Sequence, residues 1–197
     1  TPFRLYKQNQ HEGGISSPLI VHWPKGLKTK PGSITRQPGH LIDLMATFLD
    51  VTKAKYPRRG RDRKIGPLVM GRSLLPIFAG ETRDPHKSLY FHFGTDRALR
   101  QGPWKLVSAK RGRWELYNID QDRTELNDLA AGPPERVAAM AGEWFRLARD
   151  IDRLKGRQLA PVRNRITPLN FRKSTTSGAA AAGKRRKNQA GKGTDSQ

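Results

Sequence analysis

The chain has 197 residues, 35% of them hydrophobic, no cysteine and a formal net charge of +21. That length allows one modest core or two small ones. The lack of cysteine excludes disulfides, thiolate metal sites and a cysteine nucleophile among these residues, and no apolar run approaches the ~20 residues that a membrane helix needs. So strong a positive charge makes nucleic acid the first partner to weigh. The opening Thr1-Pro2-Phe3-Arg4 has neither an initiating methionine nor a signal-peptide pattern, so the chain reads as starting in mid-protein.

The stretch from Lys7 to Pro24 carries the most chemistry. Lys7 stands in a polar loop, and the Gly13-Gly14 pair lets the backbone turn where a Cβ would clash. Pro18 then sets an extended entry to Leu19-Ile20-Val21, a short run apolar on both faces, as in a buried central strand over 18–23. A loop at the end of such a strand is where α/β enzymes place their sites. Taken alone, the same pattern also fits a surface lysine ahead of a glycine turn.

Residues 25–39 form a Pro/Gly/Lys/Thr loop leading to a helix. Leu41, Leu44, Met45, Phe48 and Leu49 give its apolar stripe, and Asp43 lies in its first turn, where the macrodipole favours an anion. His40, just before the helix, reads as a local cap and is left out of the site. Residues 58–64 are a basic, solvated loop, and 71–80 a single helical turn closed by Gly80. A subdomain boundary is expected near 80–87, where Asp84-Pro85 breaks regularity.

Beyond it the period becomes two. Leu89, Phe91 and Phe93, then Trp104 and Leu106, then Trp114 and Leu116 alternate with polar or aromatic neighbours and predict three antiparallel strands. Asp120-x-Asp122-x-Thr124 has the start of a calcium loop. It has Glu125 where the sixth position needs glycine and Ala131 where the twelfth needs glutamate, so it reads as a turn and no metal is assigned. From Pro134, residues Val137, Met140, Ala141, Trp144, Leu147, Ala148 and Ile151 predict a helix covering one sheet face. From Arg153 onward, twelve lysines and arginines meet one acid, Asp195. Residues 161–197 therefore read as a disordered basic tail, whose expected chemistry is non-specific, salt-sensitive polyanion binding.

The pattern Lys7-x4-Glu12-Gly13-Gly14-Ile15-Ser16-x-Pro18-x-Ile20-x-x-Trp23-Pro24 resembles the segment of the type I sulfatases (arylsulfatases) that contains the second active-site lysine. The helix from His40 is similar to the one that follows this segment in the family, with Ala46 where proline is usual, and 71–80 is similar to a further family segment. Residues 98–107 and 115–130 resemble the family's small C-terminal sheet, so the likeness spans about residues 3–160.

The resemblance implies an α/β fold: residues 1–84 as the end of an alkaline-phosphatase-like sulfatase domain, 85–160 as a small antiparallel sheet packed on a C-terminal helix, and 161–197 as the tail. It implies hydrolysis of aryl or carbohydrate sulfate esters, with Lys7 as catalytic residue and substrate contact. His11 is either a second substrate contact or a solvated loop histidine. Glu12, Gly13 and Gly14 hold the loop, Glu12 by accepting backbone N–H groups of the turn.

The family further implies a formylglycine nucleophile and calcium in the complete enzyme. Their motifs do not occur in these residues, so the chain alone is expected to be inactive and to need an N-terminal catalytic portion as partner. The family also suggests secretion or a periplasmic location, with no membrane span. Ser16 departs from the arginine that many members carry there. The alternative is a basic nucleic-acid-binding module acting through 58–64 and the tail, against which stands the lack of interleaved stacking aromatics. A third reading is a non-catalytic carbohydrate-binding module built from the sheet.

Overall fold

Alternating side chains between residues 89 and 118 build a four-stranded antiparallel sheet in the computed structural model, which describes residues 2–56 and 70–155. The strands are β1 (Leu89–Phe93), β2 (Asp96–Gln101), β3 (Trp104–Ser108) and β4 (Glu115–Asn118), joined in sequence order as a meander. The register sets Tyr90, Leu99, Leu106 and Leu116 in one cross-strand row, and Phe91, Ala98, Val107 and Glu115 in a row on the opposite face.

The first face is covered by a helix, labelled α4 (Pro134–Asp150) after the three shorter helices that precede it. Pro134 presets φ for its first turn, Glu135 and Arg149 complement its dipole at the two ends, and apolar residues recur at helical spacing. Met140, Ala141, Trp144, Leu147 and Ala148 bury that stripe against Leu99, Leu106 and Leu116. Trp144 is wholly buried, and its indole N–H donates to the carbonyl of Phe91 at 3.1 Å. Arg97 lies 5.2 Å from the Trp144 ring and also faces Trp114 and Phe145, so its charge is covered by aromatic faces.

Upstream lie α1 (Glu12–Ile15), α2 (Ile42–Thr52) and α3 (Leu75–Phe78). The helix expected after His40 forms as α2, and His40 Nδ1 accepts the N–H of Ile42 at 3.3 Å, the local role read from its position. Its orientation reverses the expectation. Leu41 and Phe48 of the apolar stripe are exposed, Phe48 by 60%, while Asp43 and Thr47 face inward.

Hydrogen bonding explains the reversal. Asp43 Oδ2 accepts from the Arg83 guanidinium at 2.8 Å and the His40 N–H at 2.9 Å; Oδ1 accepts the Arg72 N–H at 2.9 Å and stands 2.6 Å from His86 Nε2. Burial alone would raise its pKa, but these donors bring it below the ordinary carboxylate value. Thr47 adds an acceptor for the Leu74 N–H at 2.9 Å. Arg83 and His86 thus tie the stretch expected to separate two subdomains back onto α2.

Two strand expectations need correction. Residues 18–23 pair with no strand among the described residues, and Ile20 is 89% exposed. A strand apolar on both faces needs neighbours on both edges, and among the described residues the only sheet, β1 to β4, pairs its strands only with one another. Conversely β2, Asp-Arg-Ala-Leu-Arg-Gln, was absent from the three strands expected, because its arginines mask the period of two. The loop at 58–64 and the tail at 161–197 lie outside the described residues.

Truncating Trp144 to Ala removes the largest side chain of the core and its hydrogen bond, and is expected to destabilise the fold by about 3–5 kcal/mol. Urea unfolding followed by far-ultraviolet circular dichroism measures this. A loss below about 1 kcal/mol would mean that α4 does not hold the sheet.

Candidate functional site

The second face of the sheet carries charged side chains in its interior. Lys105, at the centre of β3, is wholly buried beside Tyr117 of β4, and Glu125 from the turn after β4 is buried with it. What covers them is the N-terminal segment, folded into a loop between Arg4 and Gly13 whose ends meet through a Gly13 N–H to Arg4 C=O bond of 3.0 Å. A compact loop with touching ends is an Ω-loop. Lys7 stands within it, exposed.

Each end of the loop is fixed on the sheet. At the first, the Arg4 guanidinium donates to Glu115 Oε2 at 2.8 Å and to Tyr117 Oη at 2.6 Å; the Tyr117 hydroxyl in turn donates to Glu115 at 2.6 Å. At the second, Glu12 Oε1 accepts from Lys105 Nζ at 2.9 Å, and the Glu12 backbone N–H donates to Glu125 Oε2 at 2.7 Å. Lys105 Nζ also lies 2.9 Å from Glu125 Oε1, an ion pair without hydrogen-bond alignment. Glu12, Lys105 and Glu125 are all shut off from water, which leaves one ammonium between two carboxylates in a low-dielectric setting.

The glycines do the rest by close approach. A Cβ on Gly13 would come within 1.9 Å of the Leu5 carbonyl, and one on Gly14 within 1.9 Å of the Asn9 carbonyl and 2.5 Å of the Lys7 carbonyl. Any side chain there would push α1 off the loop. Leu5 and Lys7 have φ of 59° and 48°, left-handed values that a non-glycine residue adopts only when its surroundings enforce them.

The electrostatics follow the geometry. Burial would raise the pKa of Glu115, but hydrogen bonds from His11 and Tyr117 and the charge of Arg4 take it down to about 2. Burial, then the adjacent Glu115, pushes the Tyr117 phenol above its usual range. Arg4 keeps a raised value because Tyr117 and Glu115 outweigh its own burial.

The structure places the residues singled out in the sequence as follows. Gly13 and Gly14 stand where no Cβ would fit. Lys7 is exposed and pairs with no other described residue. His11 is not a solvated loop histidine: it is wholly buried, with Nε2 3.3 Å from Glu115 Oε2 and its ring edge-on to Tyr117. The Glu12 carboxylate takes Lys105 rather than turn amides, because those amides donate to the carbonyls of Arg4, His11 and Glu12.

Arg4, Lys105, Glu115, Tyr117 and Glu125 were missed. The available signal was Lys105 itself, a lysine between Trp104 and Leu106 in a central strand, which needs a buried counter-charge. Asp122 gives its carboxylate to the N–H groups of Leu126 and Asn127, as a turn residue does. Among the described residues no group of three or more histidines, aspartates or glutamates could hold a metal ion.

Residues 3–143 match the family described as N-sulphoglucosamine sulphohydrolase, C-terminal, and the chain belongs to that family. It is 31% identical over 155 residues to an uncharacterized sulfatase of Schizosaccharomyces pombe, covering 73% of this chain and 27% of that protein. It is 31% identical over 173 residues to the ulvan-active sulfatase of Formosa agariphila, covering 70% of this chain and 34% of that one. The crystal structure of Ps i-CgsB in complex with k-i-k-neocarrahexaose superposes with a TM-score of 0.58 at 25% identity, over 72% of this chain and 31% of that one. The chain thus spans about a quarter to a third of the length of these relatives.

Glu115 should dominate one part of the acid response. Its folded pKa, about 2, lies below the ordinary 4.5, so its contribution is complete above pH 5 and is lost as pH falls from 4.5 towards 2. The difference corresponds to roughly 3 kcal/mol. Urea unfolding between pH 2.5 and 6 should show a shallower decline for Glu115→Gln than for wild type. Parallel curves would show that Glu115 titrates normally in the folded protein.

Proposed function

We propose that this chain supplies one substrate-facing lysine, Lys7, to a sulfuric ester hydrolase acting on aryl or carbohydrate sulfates. The observation that carries the reading is an exposed, unpaired ammonium on a loop anchored at both ends. Hydrolysis of a sulfate ester moves negative charge onto the sulfuryl and bridging oxygens, so a fixed ammonium aimed there stabilises the transition state more than the ground state. Lysine suits the task as a compact point charge with three donors. His11 would add a substrate contact through Nδ1, which has no partner among the described residues. Because the ring is covered, that contact would require the loop to open. The ulvan named for one relative and the neocarrahexaose bound to another favour a carbohydrate sulfate.

The family implies that a complete sulfatase would carry a formylglycine, which would supply the nucleophile, and a calcium ion, which would offset the sulfate charge. The described residues offer no ligand set for that ion, so both groups would come from an N-terminal catalytic portion, and this chain alone would be inactive. The division at residues 84 and 160 belongs to the same reading. The exposed Ile20, Leu41 and Phe48 are surfaces on which the catalytic portion would pack. A secreted or periplasmic location goes with it; no helix among the described residues is long and apolar enough to cross a membrane. Polyanion binding is proposed for 161–197. The nucleic-acid alternative rests on that tail and on 58–64, outside the described residues, and draws no support from the relatives.

In the complete enzyme, Lys7→Ala should lower kcat for an aryl sulfate about a hundredfold, ~3 kcal/mol, at unchanged melting temperature. Lys7→Arg should rescue little, because a planar fork replaces a point charge. A Lys7→Ala enzyme within about threefold of wild type would make Lys7 an ordinary surface lysine.

A further inference from the structure

We propose that Lys105 is a positioning residue for Lys7, holding the catalytic loop from the sheet face beneath it through Glu12; the role rests on the sulfatase reading of Lys7. Lys105 cannot touch substrate, since it is wholly buried beneath the loop. Its reach is indirect and short. Nζ binds Glu12 Oε1 at 2.9 Å, Glu12 begins α1, and Gly14 of α1 lies against the carbonyls of Asn9 and Lys7 so closely that no Cβ would fit. Whatever moves Glu12 moves the surface on which the Lys7 backbone rests.

A purely structural role explains less. An ion pair buried this deeply is seldom more stabilising than an apolar replacement of the same volume, while it specifies one geometry sharply. Here the geometry specified is that of the loop: Glu125 takes the Glu12 N–H at 2.7 Å and faces Lys105 at 2.9 Å, so one ammonium sets both the carboxylate and the backbone of Glu12. Among the described residues Arg123 also lies near Glu12, but at 4.0 Å and more than half exposed it cannot take over that hold.

The test uses the chain and the complete enzyme. Lys105→Met leaves two carboxylates buried without a counter-charge and risks unfolding. The decisive variant is therefore Lys105→Met/Glu12→Gln/Glu125→Gln, which removes all three charges together. In the chain, amide exchange of Gly13 and Gly14 should quicken at least tenfold in this variant, while Leu106 and Leu116 change less than threefold. In the complete enzyme, kcat for an aryl sulfate should fall at least tenfold with KM within threefold, and the same changes should cost nothing further on a Lys7→Ala background, because Lys105 acts through Lys7. Unchanged Gly13 and Gly14 exchange would overturn the inference and leave the reading of Lys7 standing. So would an equal fractional loss of kcat with and without Lys7. A Lys7→Ala enzyme that keeps wild-type turnover would remove both.

Discussion

The ion pair between Glu12 and Lys105 is the contact on which the rest of this structure depends. It joins residues 93 positions apart in sequence, in the absence of water. Two charges leave water only where each finds a partner and the surrounding polar groups are satisfied. Glu12 and Lys105 find their partners because β3, β4, the Glu125 turn and α1 are built around one ammonium, while His11 Nδ1 and Glu125 Oε1 have no hydrogen-bond partner among the described residues. Arg4 with Glu115 and Tyr117 repeats the arrangement at the other end of the loop. Surface pairs such as Arg146 with Glu143 and Asp150 are exposed and contribute little by comparison.

The sheet consequently serves two neighbours by different physics. Towards α4 it offers leucines, and the contact is apolar burial around Trp144. Towards the Glu-Gly-Gly loop it offers Lys105, Glu115 and Tyr117, and the contact is directional. Apolar packing tolerates small slips; a carboxylate held by an ammonium at one end of the loop, and another held by a guanidinium at the other end, do not. A loop that must hold a charge in one place is better attached by the second kind of contact. Its cost is a set of buried charges whose partners cannot be removed singly.

What could be read from the sequence follows from how local each signal was. The stripe at Val137, Met140, Trp144 and Leu147 gave α4, since its partner face is made of ordinary leucines. Gly13 and Gly14 were legible because only glycine fits where carbonyls crowd in. The period of two gave β1, β3 and β4 but not β2, whose Arg97 is buried by aromatic faces and so looks like a surface residue. The stripe of α2 was correct in spacing and wrong in direction, because Asp43 gathers donors from His40, Arg72, Arg83 and His86, far apart in sequence. His11 and Lys105 failed for the same reason. A polar residue's burial depends on partners that only the fold supplies, whereas an apolar residue announces its own.

A double-mutant cycle on Glu12 and Lys105 is the most direct test of that central contact. Because Glu125 also faces Lys105, the cycle is run on a Glu125→Gln background: the stabilities of that protein, and of it with Glu12→Gln, Lys105→Met or both, from urea unfolding at pH 7, give the coupling energy. Each single change then strands one buried charge while the double removes both, so a coupling of about 2 kcal/mol or more is predicted. Additivity within about 0.5 kcal/mol would show that Glu12 and Lys105 do not hold each other, and that the loop is tied to the sheet by something else.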